Sequence, residues 1–129
     1  MIDKLQAIVG DANVMTGADR ARWMKEWTGY FPSDPIAVVR PGSTEEVAAI
    51  VKLANETGTP VVPVSGNTGL AGGTQANGAI ALSLDRMNRI REIRPAARTA
   101  IVEAGVILSD LHAAGATNPR LLSALTLPY

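Results

Sequence analysis

Residues 60–74 read PVVPVSGNTGLAGGT, an apolar run that passes straight into a loop with glycine at Gly66, Gly69, Gly72 and Gly73. Five of the chain's twelve glycines fall between Gly66 and Gly78. Glycine takes backbone conformations closed to other residues and lets another group approach the main chain closely, at a cost in folding entropy. Converging backbone N–H groups in such a loop hold phosphates and other anions. Three designs can be tested against the spacing. A Walker loop needs GxxxxGK followed by Ser or Thr, and no lysine follows Lys52. The dinucleotide fingerprint needs GxGxxG and then a helix. Here the spacing is GxxGxxGG, and a hairpin-like strand is expected to follow. The third design is a nest, in which successive N–H groups of a curled loop converge on one anion. SGNTG suits it. Gly66 and Gly69 permit the curl, with positive φ expected at Gly69, and Asn67 and Thr68 can add side-chain donors. The loop carries no fixed positive charge. On glycine content alone, a glycine-rich strand connection without a ligand is the favoured reading, because glycine-rich turns are common.

The elements that must position this loop follow from apolar spacing. Ile2, Leu5, Ile8 and Val9 predict a first helix that Gly10 stops. ADRARWMKEWTG predicts a second, with Trp23 and Trp27 four apart on one face and packed in the core. YFPSDP is a turn-rich linker, and IAVVRP a short buried strand ended by Pro41. Ser43 and Glu46 form a capping box for the next helix. Val47, Ile50, Val51 and Ala54 are its buried stripe, and Gly58 is its stop. PVVPV completes a βαβ unit over residues 36–64 with a parallel pair. Asn77-Gly78 marks a tight turn, and AIALSL, residues 90–94 and TAIVEAG are further strands. ILSDLHAAG is a short helix. The expected fold class is α+β, a βαβ unit leading into a mixed sheet of about five strands with flanking helices.

Composition narrows the function classes. Twelve basic residues balance twelve acidic ones, so there is no basic excess to attract nucleic acid or an anionic membrane. The chain has no cysteine and a single histidine, His112, which argues against thiolate chemistry and a protein zinc site. No catalytic or metal-ligating residue is assigned, and His112 is expected in a plain helix-face role. No apolar stretch approaches the roughly 18 residues of a membrane span. MIDKLQAIVGDAN carries acids and does not read as a leader, so a cytoplasmic location is expected.

Taken together, IAVVRPGSTEEVAAIVKLANETGTP, PVVPVSGNTGLAGGT, AIALSLDRMNRI and VEAGVILSDL resemble the FAD-binding domain of vanillyl-alcohol-oxidase-type (PCMH-type) flavoproteins. Within that group the chain is most similar to the D-2-hydroxyacid dehydrogenases: D-lactate dehydrogenase, the flavin subunit of glycolate oxidase and D-2-hydroxyglutarate dehydrogenase. The resemblance runs from about residue 1 to about residue 115. It implies that Ser65, Gly66, Asn67, Thr68 and Gly69 wrap the FAD pyrophosphate, and that Gly73 and Thr74 close the other side. It implies FAD as cofactor. No histidine or cysteine lies in the loop, so the flavin is expected to be held non-covalently. The implied reaction is hydride transfer from the α-carbon of a D-2-hydroxy acid to the flavin.

Three regions are expected: an N-terminal helical segment over residues 1–35, the N-terminal part of the FAD-binding domain over residues 36–116, and a divergent tail over residues 117–129. Family members continue into a second glycine-rich stretch and a substrate domain. The tail TNPRLLSALTLPY does not align with them and reads as a truncated or frame-shifted end. The chain alone is therefore expected to bind FAD weakly and to be inactive, meeting a 2-hydroxy acid only within a full-length relative. The rival expectations are a non-catalytic module for another phosphate-bearing ligand, and a βαβ module that dimerises through a bare sheet edge.

Overall fold

The computed structural model describes residues 1–116, and the tail over residues 117–129 lies outside the described residues. Helix α1 (Ile2–Val9) buries Leu5 and Val9 and ends at Gly10, whose φ of 83° is a left-handed conformation that suits glycine. A 3₁₀ turn (Asp11–Asn13) leads into β1 (Val14–Met15), a two-residue strand too short to show as a sequence pattern. β2 (Ala37–Val39), β3 (Val61–Val64) and β4 (Ile80–Ser83) complete a four-stranded sheet in the order β1-β2-β4-β3. β1 is antiparallel to β2, while β2, β4 and β3 run parallel.

The βαβ unit over residues 36–64 forms, but its two strands are not neighbours: β4 lies between them, pairing Ala37 with Ile80 on one side and Val61 with Ile80 on the other. Every residue of β4 is buried, and so is every residue of β2, whereas β3 is only half-buried. A strand apolar on both faces belongs in the middle of a parallel sheet.

Alternation along these strands divides the core in two. Ala37, Val39, Ile80 and Leu82 face Leu5 and Val9 of α1 and Ile50, Leu53 and Ala54 of α2 (Thr44–Thr57). Val38 and Ala81 face the other way, onto Val64, Ala76 and Ala79, with Trp23 packed beside them. The first face is filled by large side chains. The second is mostly alanine and valine, so backbone can lie close against it.

α2 begins as its capping box predicts: the Glu46 N–H donates to the Ser43 hydroxyl at 3.2 Å. The Glu46 carboxylate reaches back to the Gly42 N–H at 2.7 Å, one residue before the cap. Gly58 ends the helix at φ 63°. The buried stripe differs from expectation at one position. Leu53 is buried and Val51 is 48% exposed. Val51 sits about 100° around the helix from Ile50, off the face that Leu53 and Ala54 share with it.

The helix expected over ADRARWMKEWTG is a 3₁₀ helix at Gly17–Trp23 that stops there. Glu26 is the reason. Its carboxylate is buried and accepts from the Thr28 N–H, the Thr28 hydroxyl and, at 3.2 Å, the Phe31 N–H. Those amides then need no helical partner. The chain instead doubles back, with Lys25 bridged to Pro32. Trp27 is thereby carried out to 68% exposure, away from Trp23, and the pair does not pack as a core unit.

The remaining strands, β5 (Ile90–Arg94) and β6 (Thr99–Val102), form a separate antiparallel pair, so the six strands divide into two sheets. α3 (Leu108–Gly115) follows and carries His112. Gly105 joins β6 to this helix where a Cβ would stand 1.8 Å from the Leu84 carbonyl oxygen, so only glycine fits. Glu103 clasps the pair from the end of β6. Its buried carboxylate meets Arg89 at 2.9 Å and Arg91 at 3.2 Å and accepts from the Arg89 N–H at 2.9 Å. The Arg89 side chain, then its backbone N–H and Arg91, hold the Glu103 carboxyl down to about 2 against an ordinary 4.5, despite the opposing effect of burial.

A carboxyl depressed in the folded state stabilises the fold above its unfolded pKa and loses that contribution as pH falls through the folded one. The Glu103 contribution should therefore be complete above about pH 4.5 and fade toward pH 2. Urea midpoints measured across that range should fall more steeply for the parent than for Glu103→Gln. Equal slopes would show that the clasp is not worth more in the charged form.

Candidate functional site

Parallel neighbours cannot be joined by a tight turn, because the chain must return to the opposite end of the sheet. The usual solution is a crossover of roughly a dozen residues or more that contains a helix. Between β3 and β4 the crossover is residues 65–79, the glycine loop, and it contains no helix. Its sharp bends fall at Asn67 (φ 54°), Gly72 (φ 71°) and Gly78 (φ 66°). Gly66, Gly69 and Gly73 do not take left-handed conformations, so the positive φ expected at Gly69 stands at Asn67. Asparagine is among the few side chains that tolerate this region.

The glycines divide by what surrounds them. A Cβ on Gly72 would stand 2.8 Å from the Phe31 ring, so this glycine admits an aromatic side chain against the loop. A Cβ on Gly69 or Gly73 would meet nothing within 4 Å, and one on Gly66 only the Thr68 methyl at 4.0 Å. Their faces are open. Gly78 takes φ 66° in the Asn77-Gly78 turn, closed by the Ala79 N–H on the Ala76 carbonyl at 3.0 Å.

The Ser65, Asn67 and Thr74 side chains are engaged in holding the loop, while the Thr68 hydroxyl makes no hydrogen bond among the described residues. Asn67 donates to the Lys25 carbonyl at 3.2 Å and accepts from the Thr74 hydroxyl at 2.7 Å, which pinches the loop shut across its neck. Ser65 donates to the Ala104 carbonyl at 3.2 Å. The Thr68 carbonyl accepts from the Trp27 indole N–H at 3.0 Å. Further along, Gln75 donates to the Pro32 carbonyl at 2.9 Å, the Ala76 N–H to the buried Ser33 hydroxyl at 2.9 Å, and the Asp34 N–H to the Asn77 side chain at 2.7 Å. The segment after Trp23, read from sequence as helix and linker, is thus laced along the whole loop. By contrast, the backbone N–H groups of Gly66, Asn67, Thr68 and Gly69 have no acceptor among the described residues.

At the carboxyl ends of β3 and β4 a cleft of about 260 Å³ opens, lined by Ser65, Gly66, Asn67, Asp85, Gly105, Arg22 and Trp23, among others. Sequence reasoning missed Arg22. It lies more than forty residues upstream with no spacing to connect it, yet it brings a cation to the loop's cleft. Its guanidinium stacks over the Trp23 ring at 5.2 Å and stands 3.7 Å from the Asp85 carboxylate. Asp85 is more closely held by Arg40, at 3.0 and 3.2 Å. The cleft also has Asp110 on its rim. The structure thus brings Ser65, Gly66 and Asn67 to the cleft and Thr74 to Asn67, while Thr68, Gly69 and Gly73 lie on the exposed turn beyond. Among the described residues no cluster of histidine, aspartate and glutamate could hold a metal ion, and no helix is long and apolar enough to cross a membrane.

A model of the FAD binding domain matches residues 35–126. D-2-hydroxyglutarate dehydrogenase of Stutzerimonas stutzeri (strain A1501) is 41% identical over 114 residues, which is 87% of this chain and 25% of that protein. The glycolate oxidase subunit GlcD of Bacillus subtilis (strain 168) is 35% identical over 97 residues, 74% of this chain and 21% of that one. Among solved structures, 4-ethylphenol oxidase from Gulosibacter chungangensis superposes with a TM-score of 0.79 at 32% identity, over 92% of this chain and 24% of the other. The chain spans about a quarter of the length of these proteins. It belongs to the FAD-binding-domain family of flavin oxidoreductases, is related to the D-2-hydroxyacid dehydrogenases, and has FAD as its cofactor.

The two kinds of glycine should separate on substitution. Gly72→Ala should cost about 1–3 kcal/mol of stability, from the left-handed backbone and the overlap with Phe31. Gly69→Ala should stay within about 0.5 kcal/mol of the parent. Urea unfolding of both variants checks this, and a Gly72→Ala chain as stable as the parent would contradict the packing described.

Proposed function

We propose that residues 65–74 hold the FAD pyrophosphate, with Ser65, Gly66, Asn67, Thr68 and Gly69 on one side and Gly73 and Thr74 on the other. The observation that carries this is the division of labour in the loop. The Ser65, Asn67 and Thr74 side chains and the Thr68 carbonyl are spent on bracing, while consecutive backbone N–H groups from Gly66 to Gly69 are left without acceptors among the described residues. Asn67, left-handed between residues that are not, supplies the alternation that turns successive N–H groups to one side. The open faces of Gly66, Gly69 and Gly73 leave room for a phosphate against the main chain. Arg22 lines the same cleft as Ser65, Gly66 and Asn67 and supplies a cation there. These features fit a dinucleotide pyrophosphate.

FAD, once bound, supplies the hydride acceptor, and the protein's part is to hold and orient it. The loop contains no histidine or cysteine, so the bond to flavin is non-covalent in this proposal. The substrate class is D-2-hydroxy acids such as D-lactate, glycolate or D-2-hydroxyglutarate; the names of the two relatives support the last two, and that of a D-lactate dehydrogenase 41% identical over 83 residues supports the first. The groups that bind and deprotonate the acid are proposed to belong to the three quarters of the relatives that this chain does not span. A cytoplasmic location accompanies this reading.

Gly69→Val should fold like the parent and lose FAD affinity, because its branched side chain would fill the open face where the phosphate comes. A flavin-fluorescence titration of both proteins tests it, and parent affinity retained in Gly69→Val would sink the loop as the pyrophosphate site. The FAD-loaded 129-residue chain, mixed anaerobically with each of the three acids, should keep its flavin oxidised. Bleaching of the flavin absorbance by any of them would place the catalytic groups within this chain.

A further inference from the structure

Trp27 exposes 68% of its surface, an unfavourable place for a large indole, and it holds one specific contact there. Its N–H donates to the Thr68 carbonyl at 3.0 Å, across 41 residues of sequence. We propose that Trp27 is a positioning residue for the anion site, aiming the Gly69 N–H by fixing the peptide plane that this N–H shares with the Thr68 carbonyl. The proposal rests on the flavin reading of the loop given above.

The reasoning is geometric. A trans peptide is planar, with its C=O and N–H pointing in opposite directions. Holding the Thr68 oxygen toward Trp27 therefore turns the Gly69 N–H to the opposite side. Glycine at 69 would otherwise let this plane rotate with little resistance, since nothing lies within 4 Å of where its Cβ would be. The carbonyl bond also polarises the peptide, which makes its N–H a stronger donor. That N–H has no acceptor among the described residues.

The mount of the indole is rigid in a way its exposure does not suggest. Glu26, next to it, is buried and gathers Thr28 and Phe31 around its carboxylate. Burial opposes the charge of Glu26, but the bonds from Thr28, Phe31 and Tyr30 outweigh it and hold the carboxyl below its ordinary pKa, so the turn stays clasped at neutral pH. On the other side, the Lys25 carbonyl accepts from Asn67 at 3.2 Å. Lys25 and Trp27 thus grip Asn67 and Thr68, consecutive residues of the loop. An indole fastened at the surface, with its one polar atom spent on a glycine-loop carbonyl, contributes little to the core and a defined orientation to the loop.

Trp27→Phe keeps a ring and removes the N–H, and Trp27→Ala removes both. Two measurements on the 129-residue chain separate the possibilities. The heteronuclear ¹⁵N NOE of the Gly69 amide in the flavin-free protein reports the order of the peptide plane, and flavin-fluorescence titration reports FAD affinity. Both variants should lower the NOE at Gly69 and leave the thermal midpoint unchanged. Both should raise the Kd for FAD by about three- to tenfold, the scale of one hydrogen bond. Trp27→Phe with parent NOE and parent affinity overturns the proposal. So does a loss confined to Trp27→Ala, which would give the role to the ring. A parent chain that binds no FAD overturns the flavin reading instead, and the NOE alone then decides whether Trp27 orders the loop.

Discussion

The parallel pairing of β3 with β4 is the constraint from which the rest of the site follows. It obliges residues 65–79 to travel back along the sheet before β4 can begin. In most α/β units a helix makes that return, and its internal hydrogen bonds satisfy its own backbone. Here an irregular loop makes it. Every N–H along the loop must then find another partner or face solvent. In the second half the N–H groups of Gln75, Ala76, Gly78 and Ala79 find acceptors in the Gly72 carbonyl, the Ser33 hydroxyl, the Asp34 carbonyl and the Ala76 carbonyl. The first half does not. The proposed anion site is the unpaired remainder of a backbone account that the topology imposes.

The face of the sheet under the loop is consistent with that demand. Val38, Ala76, Ala79 and Ala81 keep it low, and main chain can lie against it without displacing large side chains. On the opposite face Leu5, Ile50, Leu53, Ile80 and Leu82 do the conventional work of a hydrophobic core. The domain thus places its bulk and its stability on the helical side and leaves the loop side thin. Bracing on that side comes from polar contacts with residues 25–34, which explains why this stretch gave up the helix its composition favours.

Local features were legible in the sequence, and long-range ones were not. The capping box at Ser43, the stops at Gly10 and Gly58 and the turn at Asn77-Gly78 each depend on residues within a few positions of one another. The glycine cluster, visible for the same reason, marks the loop proposed to hold the pyrophosphate. The insertion of β4 between β2 and β3 depends on comparing burial among three strands far apart in sequence, and pattern within one strand does not carry it. The fate of Trp27 turned on Glu26, a carboxylate that reads as a solvated residue of a helix until its donors, Thr28 and Phe31, are seen folded around it. The left-handed residue of the loop's first half is Asn67, where composition had pointed to glycine, because a residue that must both bend the chain and bond Lys25 and Thr74 needs a short amide side chain.

Charge around the cleft follows from the same arrangement. Asp85 and Asp110 border it, and a carboxylate beside a phosphate is repulsive. Asp85, however, is bound at 3.0 and 3.2 Å by Arg40 on the neighbouring strand end, whereas Arg22 stands off at 3.7 Å with most of its side chain in solvent. The two arginines are therefore not equivalent partners. If Arg22 swung to an incoming anion, Asp85 would keep its closer and better-shielded ion pair, and no buried charge would be stranded. An exposed guanidinium that is stacked on Trp23 and only loosely tied to a carboxylate is the form in which a site with no lysine in its loop can supply a cation. In the proposed site the backbone N–H groups would set where the anion sits, and Arg22 would add attraction from one side of it. That order of importance accords with a loop whose geometry is fixed by so many contacts and whose own residues carry no positive charge.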